Sequence, residues 1–258
     1  MGVESQIAVA QFEQQGDLWG LALSKQMRAE WLIVNGRLDE ALTMSGESTD
    51  SLRRITPSYD LAQQQGQAVA ILLRLGRVDE ARERAAGMLA EARDSGNSRA
   101  LVQALVTAVM VDLQATDLEA ADAKLVTVAE LMTTWPGSPS QLHAMAETAL
   151  GGADVIRGDL DAAEQHLRAA AAAAFASHDQ PVIGQVAISI GSLALARGDL
   201  ARALHAVDLA TIVIGTYDGS NPQVIAIEEA ARNAGIGRPS AGALDRPKAL
   251  EDLAGLIA

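Results

Sequence analysis

The sequence predicts an all-α fold, an α-solenoid of about five helical hairpins, and three observations support this. A short motif recurs five times, at residues 36–41, 76–81, 116–121, 158–163 and 198–203, so its spacings are 40, 40, 42 and 40 residues. Recurrence at a fixed period is typical of stacked supersecondary units. Hydrophobic residues make up 49% of the chain but aromatic residues only 3%, which favours helix over strand. An apolar stripe with helical spacing precedes each motif.

Each hairpin is predicted to contain an A helix, the recurring turn and a B helix. The motif supplies a glycine suited to a left-handed helix stop, an acidic residue suited to the next first turn, and an alanine small enough for close helix approach. The predicted A helices are residues 18–35, 59–75, 98–115, 140–157 and 181–197, and the B helices begin near residues 38, 78, 118, 160 and 200. The repeats therefore lie near residues 17–50, 58–95, 97–134, 139–177 and 180–215.

Three segments depart from this plan. Residues 44–50 are rich in helix-weakening residues, so we expect the first B helix to be short or broken. Residues 2–15 form an orphan helix without a polar outer cap, so we expect an N-terminal neighbour to be missing and its apolar stripe to favour a homodimer. That stripe consists of Val3, Ile7, Ala8, Ala10 and Phe12. Residues 216–258 are predicted to be capping helices, one ending near Ala234 and the last, after a Gly/Pro/Ser-rich linker, beginning at Arg246.

Charge and composition argue against several classes of function. Twenty basic and thirty-three acidic residues leave a net charge of −13, and no basic patch overcomes it, so direct nucleic-acid binding is disfavoured. The chain has no cysteine, which excludes disulfides and is compatible with a reducing compartment. No targeting signal is present, and no stretch approaches the roughly 20 apolar residues needed to cross a bilayer. We therefore expect a soluble cytoplasmic protein with no membrane partner.

Motifs that would indicate enzymatic chemistry are not found. The sequence has no phosphate-binding loop, no dinucleotide-binding glycine motif and no nucleophile elbow. The four histidines stand 12 to 27 residues apart, without the spacing of paired zinc ligands, and are interpreted as surface residues: His143, His166, His178 and His205. We expect no enzymatic activity, cofactor or metal. An enzyme with a pocket inside the superhelix is the least favoured alternative.

The hairpins resemble tetratricopeptide repeats, whose Gly-Asp-x-x-x-Ala turn is matched at residues 158–163 and 198–203. The preceding helix glycine of that family is matched by Gly151 and Gly191. The other three repeats match less completely, with Thr116 in place of glycine, and the period exceeds the usual value of about 34. The resemblance implies paired helices with a concave groove that binds a partner.

A second resemblance extends over nearly the whole chain, through residues 16–23 and 215–232. It is to the C-terminal repeat region of multidomain bacterial transcriptional regulators of the Streptomyces antibiotic regulatory protein and large LuxR types. The resemblance implies that DNA reading and nucleotide hydrolysis belong to other domains. This part would then receive a signal or hold the regulator inactive.

Glutamines at equivalent positions are the candidate groove-binding residues. Gln63, Gln103 and Gln185 each lie thirteen residues before their turn, a position that faces the groove in tetratricopeptide-like hairpins, and stacked amides offer donors and acceptors to a peptide or polar ligand. Arg74 and Gln114, two residues before their turns, would line the same groove. The alternative is that glutamine is simply a common exposed helix residue.

Two further sets of residues have both a structural and a functional interpretation. Asp112 and Asp154 each lie four residues before their turn and would approach one another if neighbouring A helices pack about 8 to 10 Å apart. They would form an anchor for a cation or basic peptide, or be two partly exposed acids with separate hydrogen bonds. Trp19 and Trp31 are predicted to pack against the N-terminal helix, and Trp135 is the better candidate for an exposed aromatic contact.

These observations favour a non-enzymatic interaction domain, and the second resemblance implies that it belongs to a transcriptional regulator. Its groove would bind a peptide, an adjoining domain or a small effector and shift the regulator between silent and active states. The main alternative is a free-standing adaptor for protein–protein interaction with no link to transcription.

Overall fold

The computed structural model describes residues 2–55, 59–135, 137–237 and 245–257. These residues form thirteen α-helices and no strand, so the predicted all-α class is confirmed. The helices are α1 (Gly2–Gln15), α2 (Leu18–Val34), α3 (Leu38–Arg53), α4 (Tyr59–Arg74), α5 (Val78–Ser95), α6 (Ser98–Gln114), α7 (Leu118–Thr134), α8 (Ser140–Arg157), α9 (Leu160–Ser177), α10 (Gln180–Ala196), α11 (Leu200–Ile214), α12 (Pro222–Asn233) and α13 (Arg246–Ile257). Among the described helices, none is both long enough and apolar enough to cross a membrane.

The recurring turn is a left-handed helix stop in all five hairpins. The φ angle is positive at each turn residue: Gly36 (71°), Gly76 (71°), Thr116 (56°), Gly158 (82°) and Gly198 (79°). The amide of the following residue then donates to the carbonyl five residues earlier, as from Arg37 to Leu32 at 2.9 Å. This 6→1 bond is the Schellman motif. The stop predicted from the glycines is confirmed, and Thr116 adopts the same conformation although it carries a branched side chain.

The B helices begin in two different ways after the turn. In the last three hairpins the carboxylates of Asp117, Asp159 and Asp199 accept hydrogen bonds from amides three residues later, at 3.1, 3.1 and 3.0 Å. Each caps an amide that the helix itself leaves without a partner. In the first two hairpins Arg37 and Arg77 stand at this position, and their side chains instead donate to Glu40 and Glu80.

The alanine of the motif marks the closest approach of the paired helices. It is 0% exposed in all five hairpins, at Ala41, Ala81, Ala121, Ala163 and Ala203. In the fourth hairpin a Cβ on Gly151 would lie 3.3 Å from the carbonyl oxygen of Ala163, and in the fifth a Cβ on Gly191 would lie 3.2 Å from that of Ala203. The close approach predicted from this alanine is therefore confirmed.

The chain divides into two compact units, Met1–Lys124 and Leu125–Ala258, with the boundary inside α7. In the first unit α4 packs against α3, α5 and α6, while α2 packs against α1 and α3. The large side chains buried most completely in this unit are Leu32, Val69, Ile71, Leu72, Met88 and Leu105.

In the second unit α10 is the central helix and packs against α8, α9, α11 and α12. Helix α13 packs against α9 and α11, burying Ala249 (0% exposed) and Leu253 (1%). The two helices predicted after residue 215 are thus present. The linker predicted between them includes residues 238–244, outside the described part of the chain, and the division at residues 215 and 216 stays a prediction.

The prediction of a short or broken first B helix is wrong, because α3 is continuous from Leu38 to Arg53. Its small polar side chains let it pack closely: Ser45 and Ser48 are both 0% exposed. The Ser48 hydroxyl donates to the Ala22 carbonyl of α2 at 2.8 Å, and the Thr49 hydroxyl donates within the helix to Ser45 at 2.9 Å. Tertiary packing thus overrides the low helix propensity of this segment.

Candidate functional site

Three large apolar side chains form an exposed row on the first A helix. Trp19, Leu23 and Met27 of α2 are 58%, 43% and 48% exposed. Because they recur every four residues, they lie on one face of the helix. We call these three residues the α2 apolar row. The prediction that Trp19 packs in the core is therefore wrong, since the side of α2 that packs inward carries Ala22, Ala29 and Leu32 instead.

Trp31, by contrast, packs against the N-terminal helix as predicted. It lies so close to Gly2 that a Cβ there would be 2.6 Å from the indole. The Arg28 guanidinium stacks 4.4 Å from the Trp31 ring centroid and donates to the Gly2 carbonyl at 2.8 Å. On α1 itself, Val3 (70%) and Ile7 (51%) stay exposed. Trp135 is half-buried.

The α2 apolar row occupies the same register as the predicted glutamine positions. Leu23 lies thirteen residues before Gly36, as Gln63 lies thirteen before Gly76. Four residues further on, Met27 corresponds to Gln67 of α4. Among the described residues, only the first A helix has large apolar side chains at both positions.

The structure places the predicted glutamines in different environments. Gln63 is exposed on α4, but Gln103 is only 8% exposed on α6. Arg74 is half-buried at the end of α4, and Gln114 is exposed at the end of α6. In the second unit Gln185 is exposed and its side chain donates to that of Gln223 at 3.2 Å. The amides thus form no uniformly exposed set.

Gln103 is buried because α4 and α6 approach closely at Gly66. A Cβ on Gly66 would lie 3.2 Å from the Thr107 hydroxyl and 3.5 Å from the Gln103 amide nitrogen. Thr107 is itself only 4% exposed. Sequence reasoning missed this contact, although a glycine inside a predicted A helix is a signal of close approach.

Asp112 and Asp154 occupy a core position, not the partly exposed one expected for separate acids. They are 6% and 9% exposed. In the first two hairpins the equivalent residues are Leu32 and Leu72, at 2% and 0%. The two acids belong to different units, and each has its own partners.

In the third hairpin the buried carboxylate is paired with a lysine. Lys124 of the B helix donates to Asp112 Oδ2 at 2.6 Å and to the Ala120 carbonyl at 3.1 Å. Lys124 lies eight residues after the turn, where the first hairpin has Met44. Met44 packs against the apolar cluster that contains Leu32. Positions that are apolar in one hairpin thus hold an ion pair in another.

In the fourth hairpin the equivalent partner is a histidine. His166 Nε2 lies 3.7 Å from Asp154 Oδ2, and its Nδ1 lies 2.8 Å from Glu147 Oε2. Arg157 donates to Asp154 Oδ1 at 2.6 Å. Burial raises the pKa of the Asp154 carboxyl, while the charge on His166 lowers it. No group of three or more His, Cys, Asp or Glu residues in the described ranges is arranged to hold a metal ion.

The charged side chains beside the α2 apolar row differ in whether they have a partner. Lys25 pairs with Glu47 at 2.7 Å, and Arg28 is held by Trp31 and Gly2. Glu30, three residues after Met27, accepts a hydrogen bond from Gln26 at 3.3 Å. No cation of the described residues lies within ion-pair distance of Glu30. Glu30 is exposed to solvent on α2, although desolvation by neighbouring atoms raises the pKa of its carboxyl.

A cleft of about 520 Å³ also lies in the first unit, among α3, α4, α5 and α6. By surface area its walls are mainly apolar, and two of its charged side chains, Arg53 and Glu91, pair with each other. Arg53 donates to Glu91 Oε1 at 2.9 Å and Gln65 donates to Glu91 Oε2 at 2.6 Å.

Comparison with known proteins supports the fold. No protein-family model matches the chain, and no curated protein matches it significantly. The crystal structure of BtubC (BKLC) from P. vanneervenii is similar, with a TM-score of 0.57 and 19% sequence identity over 94% of both chains. At that identity the likeness concerns the fold alone. A tetratricopeptide repeat protein from Parabacteroides merdae has a TM-score of 0.45 and 15% identity, covering 98% of this chain and 97% of that one.

Proposed function

We propose that the chain is a non-enzymatic protein-binding scaffold whose contact surface in the first unit includes the α2 apolar row. The observation that carries the proposal is the exposure of Trp19, Leu23 and Met27 on one helix face. A contiguous row of large apolar side chains in water is unfavourable, and such surfaces are characteristic of interaction sites. Arrays of helical hairpins present extended surfaces for such contacts.

The resemblance to bacterial transcriptional regulators supports a finer assignment. The scaffold is a regulatory sensor domain, and its partner is another domain of the same regulator, a separate protein or a small effector. Regulation follows if the partner binds this domain with different affinity in the silent and active states. The alternative, a free-standing adaptor, uses the same surface for an external protein.

Binding in trans tests this proposal. The chain is titrated with the other domains encoded by the same gene, and the dissociation constant is measured by calorimetry. We compare the wild type with a Leu23→Gln/Met27→Gln variant, which has the residue types of Gln63 and Gln67 at these two positions. Loss of two apolar anchors is expected to weaken binding about tenfold or more.

The matched control is Val126→Gln on the B helix α7, where the valine is 60% exposed. This variant should bind as the wild type does. Equal binding by the Leu23→Gln/Met27→Gln variant would contradict the proposed surface. A gene that encodes no further domain would favour the adaptor, with an external protein as the partner.

A further inference from the structure

The chemistry of the α2 face indicates what kind of partner it fits. Its centre is apolar, because Trp19, Leu23 and Met27 succeed one another at four-residue intervals. Two intervals of four residues along a helix span about 12 Å, or roughly two turns. This is the spacing at which a second helix inserts its own apolar row, with anchors three and four residues apart.

The partner's main-chain amides and carbonyls require hydrogen bonds, and this requirement favours a helix over an extended segment. Leucine and methionine side chains provide no strong hydrogen-bonding group, and a tryptophan provides a single donor. An extended peptide lying on this row would therefore leave main-chain amides and carbonyls without partners. A helix satisfies those groups internally and loses little when its apolar face is covered.

The negative charge at the end of the row indicates that the partner should be positively charged. Glu30 continues the same face three residues after Met27 and has a hydrogen bond from Gln26 but no cation among the described residues within ion-pair distance. The nearby cations Lys25 and Arg28 are engaged inside the unit. A lysine or arginine on the partner would find Glu30 available, and the chain's net charge of −13 would favour the approach of a basic segment.

We infer that the α2 apolar row binds a basic amphipathic helix, whose apolar side chains cover Trp19, Leu23 and Met27 and whose lysine or arginine pairs with Glu30. The inference rests on the proposed function and adds the class of partner. It applies equally to a helix in another domain of a regulator and to a helix in a separate protein.

The test uses the whole chain and a synthetic helical peptide as the probe. The peptide consists of alanine and lysine with leucine at every fourth position, and its binding is followed by fluorescence anisotropy. One control peptide has glutamate in place of lysine, and another has the same composition with its leucines spread around the helix. We expect the basic amphipathic peptide to bind more tightly than both, with an affinity that falls as salt is added.

Three variants locate the site. Leu23→Gln/Met27→Gln should weaken the basic peptide about tenfold or more. Glu30→Gln should weaken it about threefold, the size expected for an exposed ion pair. Glu30→Lys should lower the preference for the basic over the acidic peptide, whereas Glu83→Lys, an exposed acid on α5, should cause a smaller change. Circular dichroism confirms that each variant is folded.

Several outcomes would overturn the inference. They are equal or tighter binding of the acidic peptide, equal binding of the peptide with scattered leucines, and wild-type affinity in the Glu30 variants. A concentration-dependent dimer abolished by Leu23→Gln/Met27→Gln would instead assign the face to a second copy. If the basic peptide fails but the variant loses binding to a protein domain in trans, the partner class is wrong and the scaffold function stands. If both assays show no role for the row, both proposals fail.

Discussion

At the scale of single residues, equivalent positions in the repeat have different environments. Leu23 is 43% exposed on α2, whereas Gln103 is 8% exposed on α6. Helical periodicity places both on the same face of their A helices, but it does not show which neighbouring helix covers that face. The close approach of α4 and α6 at Gly66 covers Gln103. The periodicity of α6 alone does not predict that contact.

Among the described residues, Thr116 is the β-branched residue that adopts a left-handed backbone conformation. It has a φ of 56° at a turn where the other four hairpins have glycine. A left-handed conformation is unfavourable for a residue with a branched Cβ, and the Thr116 hydroxyl donates to the Ala115 carbonyl at 2.7 Å.

We expect Thr116→Gly to stabilise the protein by about 1 kcal/mol, because relief of the left-handed strain exceeds the added entropy of the unfolded chain. The measurement is chemical denaturation followed by circular dichroism. The reciprocal change Gly158→Thr should destabilise the protein by a similar amount. A lower denaturation midpoint for Thr116→Gly would show that the hydroxyl bond outweighs the backbone strain.

At the scale of elements, one pair of positions between the A and B helices is apolar in one hairpin and charged in another. It lies four residues before and eight residues after the turn residue. The pair is Leu32 with Met44 in the first hairpin and Asp112 with Lys124 in the third. A buried ion pair costs desolvation that its attraction only partly offsets, so an apolar pair of similar volume is often as stable.

A double-mutant cycle tests this equivalence. Lys124→Met alone should destabilise the protein by about 3 kcal/mol, because it leaves the Asp112 carboxylate buried without a cation. Adding Asp112→Leu recreates the pair of the first hairpin and should restore stability to within about 1 kcal/mol of the wild type. Urea denaturation gives the free energy of unfolding of the wild type, of each single variant and of the double variant. If the double variant were as unstable as Lys124→Met, the ion pair would be required by its surroundings.

The first B helix also shows tertiary structure acting on an element. Residues 44–50 have low helix propensity, yet α3 continues through them to Arg53. Ser45 and Ser48 are small enough to be fully buried, and the Ser48 hydroxyl binds the backbone of α2 at Ala22. Helix propensity is a weak preference of each residue. Close packing and a buried hydrogen bond together stabilise α3 more than this propensity disfavours it.

At the scale of the whole molecule, burial is unevenly distributed among the helices. Ser5, which is 7% exposed, is the only buried residue of α1 in the described structure. The central helix of the second unit, α10, buries most of its residues, including Val186, Ile190 and Leu193. Regions with little buried apolar surface open with lower free energy than the core.

Native-state hydrogen exchange should reveal this difference. Amides of α1 are expected to exchange at least about tenfold faster than those of α10, because opening α1 exposes little apolar surface. Mass spectrometry of proteolytic fragments measures both helices in one sample, and α2 provides a comparison inside the first unit. Protection of α1 equal to that of α2 would indicate that another surface covers Val3 and Ile7, such as a second copy of the chain.

The sequence by itself determined the all-α class, the number of hairpins, the positions of the turns and the buried alanine of each motif. These features depend on local chemistry repeated at a fixed period: a glycine, or Thr116 in one copy, at the left-handed stop, an acidic residue in the following first turn and a small residue at the helix contact. Five copies make such a signal clear. The tertiary structure decided which members of each equivalent set are exposed, because exposure depends on neighbouring helices far away in the sequence. It buried Gln103 and Asp112, completed α3, and left Trp19, Leu23 and Met27 in contact with solvent.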